Sequence, residues 1–197
     1  MPISASVTLG DQFGSVLDAA RSGAEWALTA LYRDLHADLL RYLRSQEPNE
    51  AEDLESQTWL DAAGGLASFD GAEVDLRRWM FTIARRRLID LRRQQMRRRT
   101  DPVAPDELPS KPAGDDVEAE ALTRISTEEA LAMIAALPPE QAEVVLLRVL
   151  GGFSAAEVGA MTGRRPGTVR VVQHRALARL ARDLAKRRVT EHPIQAM

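Results

Sequence analysis

Midway along the chain, between Thr100 and about Ala119, helical patterning stops. Pro102, Pro105, Pro109 and Pro112 stand there with six acids. Such a stretch cannot bury enough apolar surface to offset the entropy of ordering it, so it reads as an extended linker. The 197 residues are therefore cut into two parts, and each must bury its own core. The expected organisation is a first domain over 1–99, a linker over 100–120, a second domain over 121–187 and a tail over 188–197.

Both parts read as helical, which makes the expected fold class all-α, two small helical domains. Aromatics are only 5% of the chain while Ala, Leu and Arg are abundant, a balance that favours helices over strands. The first part predicts four helices. One runs near Asp11–Arg21, with Phe13, Val16, Leu17 and Ala20 at helical spacing, and Ser22-Gly23 breaks it. The second, Ala24–Ser45, sets Leu28, Leu31, Tyr32, Leu35, Leu39, Tyr42 and Leu43 on one face to be buried. The third runs from about Asn49 to Ala63, and Gly64-Gly65 with Ser68-Phe69-Asp70-Gly71 reads as loop. The fourth runs from about Val74 to Arg99, with Leu76, Met80, Ile83, Ala84 and Leu91 inward and Arg78, Arg85 and Arg92 aligned on another side.

The second part predicts helices near 127–137, 139–150, 155–162 and 166–187. Ser126-Thr-Glu-Glu129 and Ser154-Ala-Ala-Glu157 both fit a capping box, where Ser and Glu satisfy free amides at a helix start. Gly151-Gly152 and Gly163 are placed as stops.

Charge arrives in blocks that the net value of −3 conceals. Residues 46–75 carry nine acids and no Lys or Arg, whereas 77–99 carry ten Arg against Asp90 alone. Residues 101–129 hold nine acids against Lys111 and Arg124, and 164–188 hold nine bases against Asp183. Exposed charges are screened beyond roughly 8–10 Å, so the blocks act separately. Two basic patches, each on a patterned helix, point to two contacts with a polyanion.

Several function classes drop out. Without cysteine there are no disulfides, thiolate zinc sites or cysteine nucleophiles. His36, His174 and His192 lie far apart, so no metal site is expected. Neither a Gly-rich phosphate loop nor a nucleophile-base pair appears, so no cofactor and no catalytic residue are expected. With no apolar stretch of membrane-spanning length and no export signal, membrane insertion is not expected and a cytoplasmic location is.

The stretch Ser154–Leu180 carries the strongest signal. A short capped helix, a tight turn at Gly163-Arg164-Arg165 and a long helix entered by Pro166 form the layout of a helix-turn-helix. The second helix of that motif lies in a major groove with its first turns facing base edges. Arg170, His174 and Val171 fall where those edges would be. Arg164, Arg165, Thr168 and Arg175 are placed for phosphates. On these residues alone, an ordinary helical hairpin with a basic end remains the alternative.

Leu137-Pro138-Pro139-Glu140-Gln141, Val145-Leu146-Leu147-Arg148, Gly152-Phe153-Ser154, Glu157-Val158 and Gly167-Thr168-Val169-Arg170 resemble region four of the extracytoplasmic-function sigma factors. Arg175-Ala176-Leu177 continues that likeness. Ala51-Glu52-Asp53-Leu54 with Thr58-Trp59-Leu60 resembles the core-binding helix of region two. Trp79 to Arg85, with Asp90 and Arg92-Arg93, resembles the helix that meets the minus-ten element. The resemblance covers about residues 11–185.

It implies that Glu52, Asp53, Gln57 and Asp61 dock on a coiled coil of the largest subunit of core RNA polymerase. Region four would meet the flap of the second-largest subunit. The loop Ser68–Asp75, with Ser68, Phe69 and Asp70 as its contacts, would capture a base flipped from the minus-ten strand. Arg85 and Arg92 would hold single-strand phosphates, with Arg78, Arg86 and Arg93 on the same helix; Phe69 and Trp79 read as core anchors, with stacking platforms for bases as the alternative. Arg164, Arg165, Thr168, Arg170, Val171, His174 and Arg175 would meet the minus-35 element. Promoter DNA and an anti-sigma protein are the further partners implied. A linker of roughly twenty residues spans at most about 65–70 Å, enough for promoter elements roughly 50–55 Å apart. Its acids either thread the polymerase's RNA path or form a plain tether.

This sequence departs from the family pattern at Ser56-Gln57, Arg86, Val171-Val172 and Pro166. Three other readings stand beside the sigma factor. A helix-turn-helix regulator that does not join polymerase leaves 51–63 and 74–99 unexplained. An enzyme using carboxylates near Asp53 with a metal lacks a ligand set. A sigma homologue that only binds partners differs by failing to drive transcription.

Overall fold

The computed structural model describes residues 9–100 and 118–191, and those residues form α-helices and short turns without a strand. A 3-10 turn at Gly10–Gln12 leads into α1, Phe13–Arg21. Then follow α2 (Glu25–Arg44), α3 (Ala51–Leu66), α4 (Glu73–Thr100), α5 (Glu118–Ala135), α6 (Pro139–Val149), α7 (Ala155–Thr162) and α8 (Pro166–Glu191). Contacts divide the chain into two units, with the boundary inside α5 after Leu122. The acidic proline-rich segment 101–117 lies outside the described residues, as does the expectation of a linker there.

In the first unit α2 is the central rod. Ala27, Leu31, Leu35, Leu39, Tyr42 and Leu43 are buried on it, as are Leu54 and Leu66 of α3 and Met80, Phe81 and Leu88 of α4. Tyr42 and Phe81 meet with ring centroids 5.5 Å apart, and α1 adds Phe13, Val16, Leu17 and Ala20. Two residues assigned to the buried face of α2 are not buried: Leu28 and Tyr32 are exposed. The core arc runs through 27, 31, 34, 35, 38, 39 and 42, which leaves 28 and 32 on its edge. Leu91 of α4 is likewise only half-buried.

Gly64 and Gly65 belong to α3 rather than to a loop. A Cβ at Gly65 would stand 2.7 Å from Trp79 Cζ2. The glycine there serves close helix packing, not a turn, a purpose that local sequence cannot reveal. At its far end α4 reaches Thr100, the last described residue before 118.

In the second unit α6 is buried nearly all round, with Val144, Val145, Leu146 and Leu147 inaccessible. The capping box at Ser154 forms as expected: Ser154 N–H donates to Glu157 Oε2 at 2.7 Å and Glu157 N–H donates to Ser154 Oγ at 3.3 Å. The similar pattern at Ser126–Glu129 does not start a helix, because α5 already runs through it from Glu118. Glu118, Glu120, Ala121 and Leu122 are good helix formers that extend the helix backwards. At the other end α8 continues to Glu191, four residues past its expected end. No breaker occurs before Pro193.

Candidate polymerase and nucleic-acid interfaces

The expected docking stripe lies on one face of α3. Asp53, Gln57 and Asp61 recur every four residues and are exposed. Leu60 shares this face, seven residues after Asp53 and three after Gln57, and is 73% exposed. An apolar side chain left open amid polar neighbours was missed in the sequence, where leucine in a helix reads as core. The four expected docking residues differ in their partners. Glu52 is paired with Arg44 of α2 at 2.9 Å. Asp61 accepts two hydrogen bonds from Arg87 of α4, through Nε at 2.6 Å and through Nη2. That guanidinium holds the Asp61 carboxyl below the usual carboxylate range. Asp53 and Gln57 line a groove between α3 and α4, together with Arg87, Asp90, Gln94 and Arg97.

A second, apolar groove of about 470 Å³ runs between α2 and α3 beside the stripe, lined by Leu28, Tyr32, Trp59 and Ala63. Glu55 at its edge accepts from Trp59 Nε1 at 3.1 Å and meets His36 Nδ1 at 2.6 Å. Tyr32 stacks on His36 with centroids 4.7 Å apart. Burial, with the Glu55 charge nearby, pushes the Tyr32 phenol pKa up.

The loop between α3 and α4 is a compact shelf. Ser68 and Phe69 amides donate back to Gly65 and Leu66 carbonyls, each at 3.1 Å. Phe69 stacks on Trp79 with centroids 5.2 Å apart, and both rings are half-buried. The Asp70 side chain is 100% exposed, and Ser68 is exposed as well. On α4 the arginines fall into two groups. Arg78 is half-buried and paired with Asp75 at 3.0 Å. Arg92 donates to Glu47 Oε1 at 2.7 Å and to the Gln46 carbonyl at 3.1 Å. Arg85 is half-buried, while Arg86 and Arg93 are exposed. The seven-residue arginine spacing therefore lines up residues with unlike partners.

In the second unit Gly163 takes φ 70° and ends α7. Gly159 lets the turn pass close, since a Cβ there would meet the Arg164 carbonyl at 2.6 Å. Val169 and Ala176 anchor α8 in the core. The opposite arc presents Thr168, Arg170, Val171, His174 and Arg175, all exposed, as is Arg165 in the turn before α8. Arg164 alone of the expected set turns inward, its guanidinium 2.9 Å from Glu140 and 3.8 Å from Glu143 of α6. Arg148 was missed as a structural tie: it reaches Gln173 Oε1 at 3.1 Å and donates to the Phe153 carbonyl. Among the described residues no cluster of His or carboxylates could hold a metal ion, and no helix is long and apolar enough to cross a membrane.

Comparison with known proteins bears on both units. Residues 28–98 match the family model Sigma-70 region 2, and 127–180 match Sigma-70, region 4. The ECF RNA polymerase sigma factor ShbA of Streptomyces griseus is 35% identical over 177 residues, covering 85% of this chain and 92% of its own. The chain belongs to the ECF RNA polymerase sigma factors. SigL of Mycobacterium tuberculosis, also an ECF sigma factor, is 33% identical over 86% of this sigma factor and 97% of its own length. SigD of the same species is 28% identical over 93% of this sigma factor and 90% of its own length. Two solved structures share the fold. CnrH in complex with the cytosolic domain of CnrY has TM-score 0.60 and 22% identity, covering 89% of this sigma factor and 99% of that chain. The sigma factor RpoE in complex with the anti-sigma factor NepR from Bartonella quintana has TM-score 0.54 and 23% identity, covering 88% and 94%. This protein is thus a transcription initiation factor that directs RNA polymerase to promoters, with residues 28–98 as its region two and 127–180 as its region four.

Proposed function

We propose that this sigma factor docks on core polymerase through the exposed face of α3, captures the minus-ten strand at the 68–70 loop and reads the minus-35 element with α8. The observation that carries the reading is the exposed arc of α8. Of the seven residues singled out there and in the turn before it, six are exposed, while Val169 and Ala176 of α8 are buried. A helix so anchored offers its first turns to a groove without rearrangement. Phosphate contacts fall to Arg165, Thr168 and Arg175, and base edges to Arg170, Val171 and His174.

In the first unit, docking rests on Asp53, Gln57 and Leu60, with Glu52 and Asp61 at the margins. A central apolar residue with a polar rim is the usual anatomy of an interface that must dissociate. The coiled coil of the largest subunit is the partner of this face, and the flap of the second-largest subunit is that of the second unit. Minus-ten contacts fall to Ser68, Phe69, Asp70 and the arginines of α4. The factor itself carries no catalytic group; phosphodiester chemistry stays with the polymerase. It works in the cytoplasm, where the nucleoid and polymerase are, and an anti-sigma protein holds it inactive; the complex of the sigma factor RpoE with the anti-sigma factor NepR is a precedent for such a pairing.

Run-off transcription with purified core enzyme on genomic promoter fragments tests the reading. Promoter-dependent transcripts are expected with the wild type and are lost with Leu60→Asp through failure to bind core. A factor that binds core and DNA yet yields no specific transcript would overturn it.

A further inference from the structure

The loop between α3 and α4 is held from outside its own hairpin. At one end Arg21, the last residue of α1, donates through Nη2 to the Phe69 carbonyl. The same guanidinium lies 3.6 Å from Asp70 Oδ1 and is itself oriented by Asp18 at 3.0 Å. At the other end Glu73, the first residue of α4, accepts from the amides of Leu9 at 2.9 Å and Gly10 at 3.0 Å. These contacts join residues 48 to 64 positions apart in sequence, so neither is a by-product of local chain geometry.

Inside the clamp the loop has little freedom. Ala72 N–H donates to Asp75 Oδ2 at 3.0 Å. A Cβ at Gly71 would meet Asp75 Cβ at 2.9 Å and Phe69 Cζ at 3.0 Å. Phe69 is stacked on Trp79, whereas Ser68 and Asp70 are exposed, the Ser68 hydroxyl donating to the Gly65 carbonyl at 3.0 Å. The backbone is thus fixed from behind while two polar side chains are offered outward.

We propose that the N-terminal segment, the 3-10 turn with α1, is a splint that sets the pose of the strand-capturing loop, and that Arg21 and Glu73 are its positioning residues. The inference rests on the reading of residues 68–70 as the minus-ten contact. Its physical content is preorganisation. A pocket that must offset unstacking of a flipped base loses most when its walls have to be ordered at the moment of capture. Arg21 needs no contact with DNA to matter; it removes that ordering cost beforehand.

The test uses the full-length factor, free and in holoenzyme, as wild type, Arg21→Ala, Arg21→Lys and the loop variant Ser68→Ala/Asp70→Ala. Amide hydrogen exchange over 68–72 in the free factor reads the splint directly. Binding of holoenzyme to fluorescent single-stranded minus-ten oligonucleotides, each with one base changed, reads the function. Thermal unfolding and core affinity serve as controls.

Arg21→Ala is expected to speed exchange in the loop by about tenfold and to flatten discrimination at the loop-captured base by about three- to tenfold. Discrimination at other positions and core affinity stay unchanged. Arg21→Lys, which keeps the charge but not the guanidinium fork, restores part of both effects and stands in if the alanine variant folds poorly. Unchanged exchange in both Arg21 variants overturns the splint. Faster exchange with intact discrimination, where the loop variant does lose discrimination, also overturns it while leaving the loop reading in place. Intact discrimination in the loop variant removes the loop from base capture and takes this proposal with it.

Discussion

Asp61 and Arg87 join α3 to α4 by two hydrogen bonds to one carboxylate, each residue a little over one-third exposed. The pair ties the helix read as the polymerase dock to the helix read as the DNA contact. It also gives Asp61 a partner that Asp53 lacks among the contacts described. Substituting Asp61 should therefore register first in stability and Asp53 first in docking. Asp61→Lys is expected to lower unfolding free energy by about 1 kcal/mol, the scale of a partly exposed ion pair, and Arg87→Asp in the same chain should recover it. Asp53→Lys should leave unfolding unchanged and weaken core binding about five- to tenfold. Urea melts and a core-binding titration on the variants decide the matter; loss of docking in Asp61→Lys/Arg87→Asp with full stability would return Asp61 to the interface.

Arg92 and Arg93 are neighbours with opposite situations. Arg92 closes on Glu47 and Gln46 at the turn after α2. Arg93 is exposed, 3.7 Å from Asp90. Arg92→Ala is expected to cost stability, on the order of 1–2 kcal/mol, because it strips a half-buried charge network. Arg93→Ala should leave the fold intact and lower the salt slope of open-complex formation by roughly one. Equal salt slopes for wild type and Arg93→Ala would mark that residue as solvated surface only.

What the sequence made legible was local. Helical periodicity placed the helices, and the Ser154–Glu157 capping box formed because both partners lie within one turn. The Ser126–Glu129 pattern misled because the same spelling occurs inside a helix whose start is set by residues before it. Gly65 misled because its reason is Trp79, fourteen positions away. The charge blocks were read correctly as totals and incompletely as sites. Arg92, Arg164 and Asp61 look like their more exposed neighbours in sequence, and only the fold supplies Glu47, Glu140 and Arg87. Exposed Leu60 was the converse case, an apolar residue whose exposure depends on where α2 and α4 sit.

Asp34 and Asp38 on α2 are buried beside Arg77 of α4. Arg77 lies 2.9 Å from Asp38 but 3.8 Å from Asp34, and Asp34 Oδ1 has no hydrogen-bond partner. Burial pushes the Asp34 pKa up to about 6, against the opposing pull of Arg77 and helped by Glu73 and Asp38. Between pH about 4 and 6 the folded chain then holds a proton that the unfolded chain has released. Stability from this group falls as pH rises through that window, by on the order of 2–3 kcal/mol. Asp34→Asn should be more stable than wild type at pH 7.5, with the difference vanishing near pH 4. Melts of both proteins across this range test it, and a pH-independent difference would mean that Asp34 stays ionised throughout.

The last expectation separates reading, anchoring and bracing in the helix-turn-helix. Arg170 and His174 are four residues apart, exposed, and on the arc of α8 that Val169 and Ala176 leave free. An arginine there can grip guanine with two hydrogen bonds, a contact worth about 1–3 kcal/mol of discrimination. Arg165 is exposed at the mouth of α8, where phosphates would pass, and phosphate contacts position the protein without naming a base. Arg164, bonded to Glu140 and 3.8 Å from Glu143, braces the turn against α6. Three signatures follow for the factor in holoenzyme against single-base minus-35 variants at fixed salt. Arg170→Ala relaxes preference at particular bases. Arg165→Ala weakens every variant by the same factor and lowers the salt slope by about one. Arg164→Ala leaves base preference alone and lowers the unfolding temperature of the factor. Should Arg164→Ala match Arg165→Ala in salt slope with no loss of stability, Arg164 lets go of α6 on DNA and is a phosphate contact after all. Should Arg170→Ala scale every variant alike, the reading face of α8 lies elsewhere on its exposed arc.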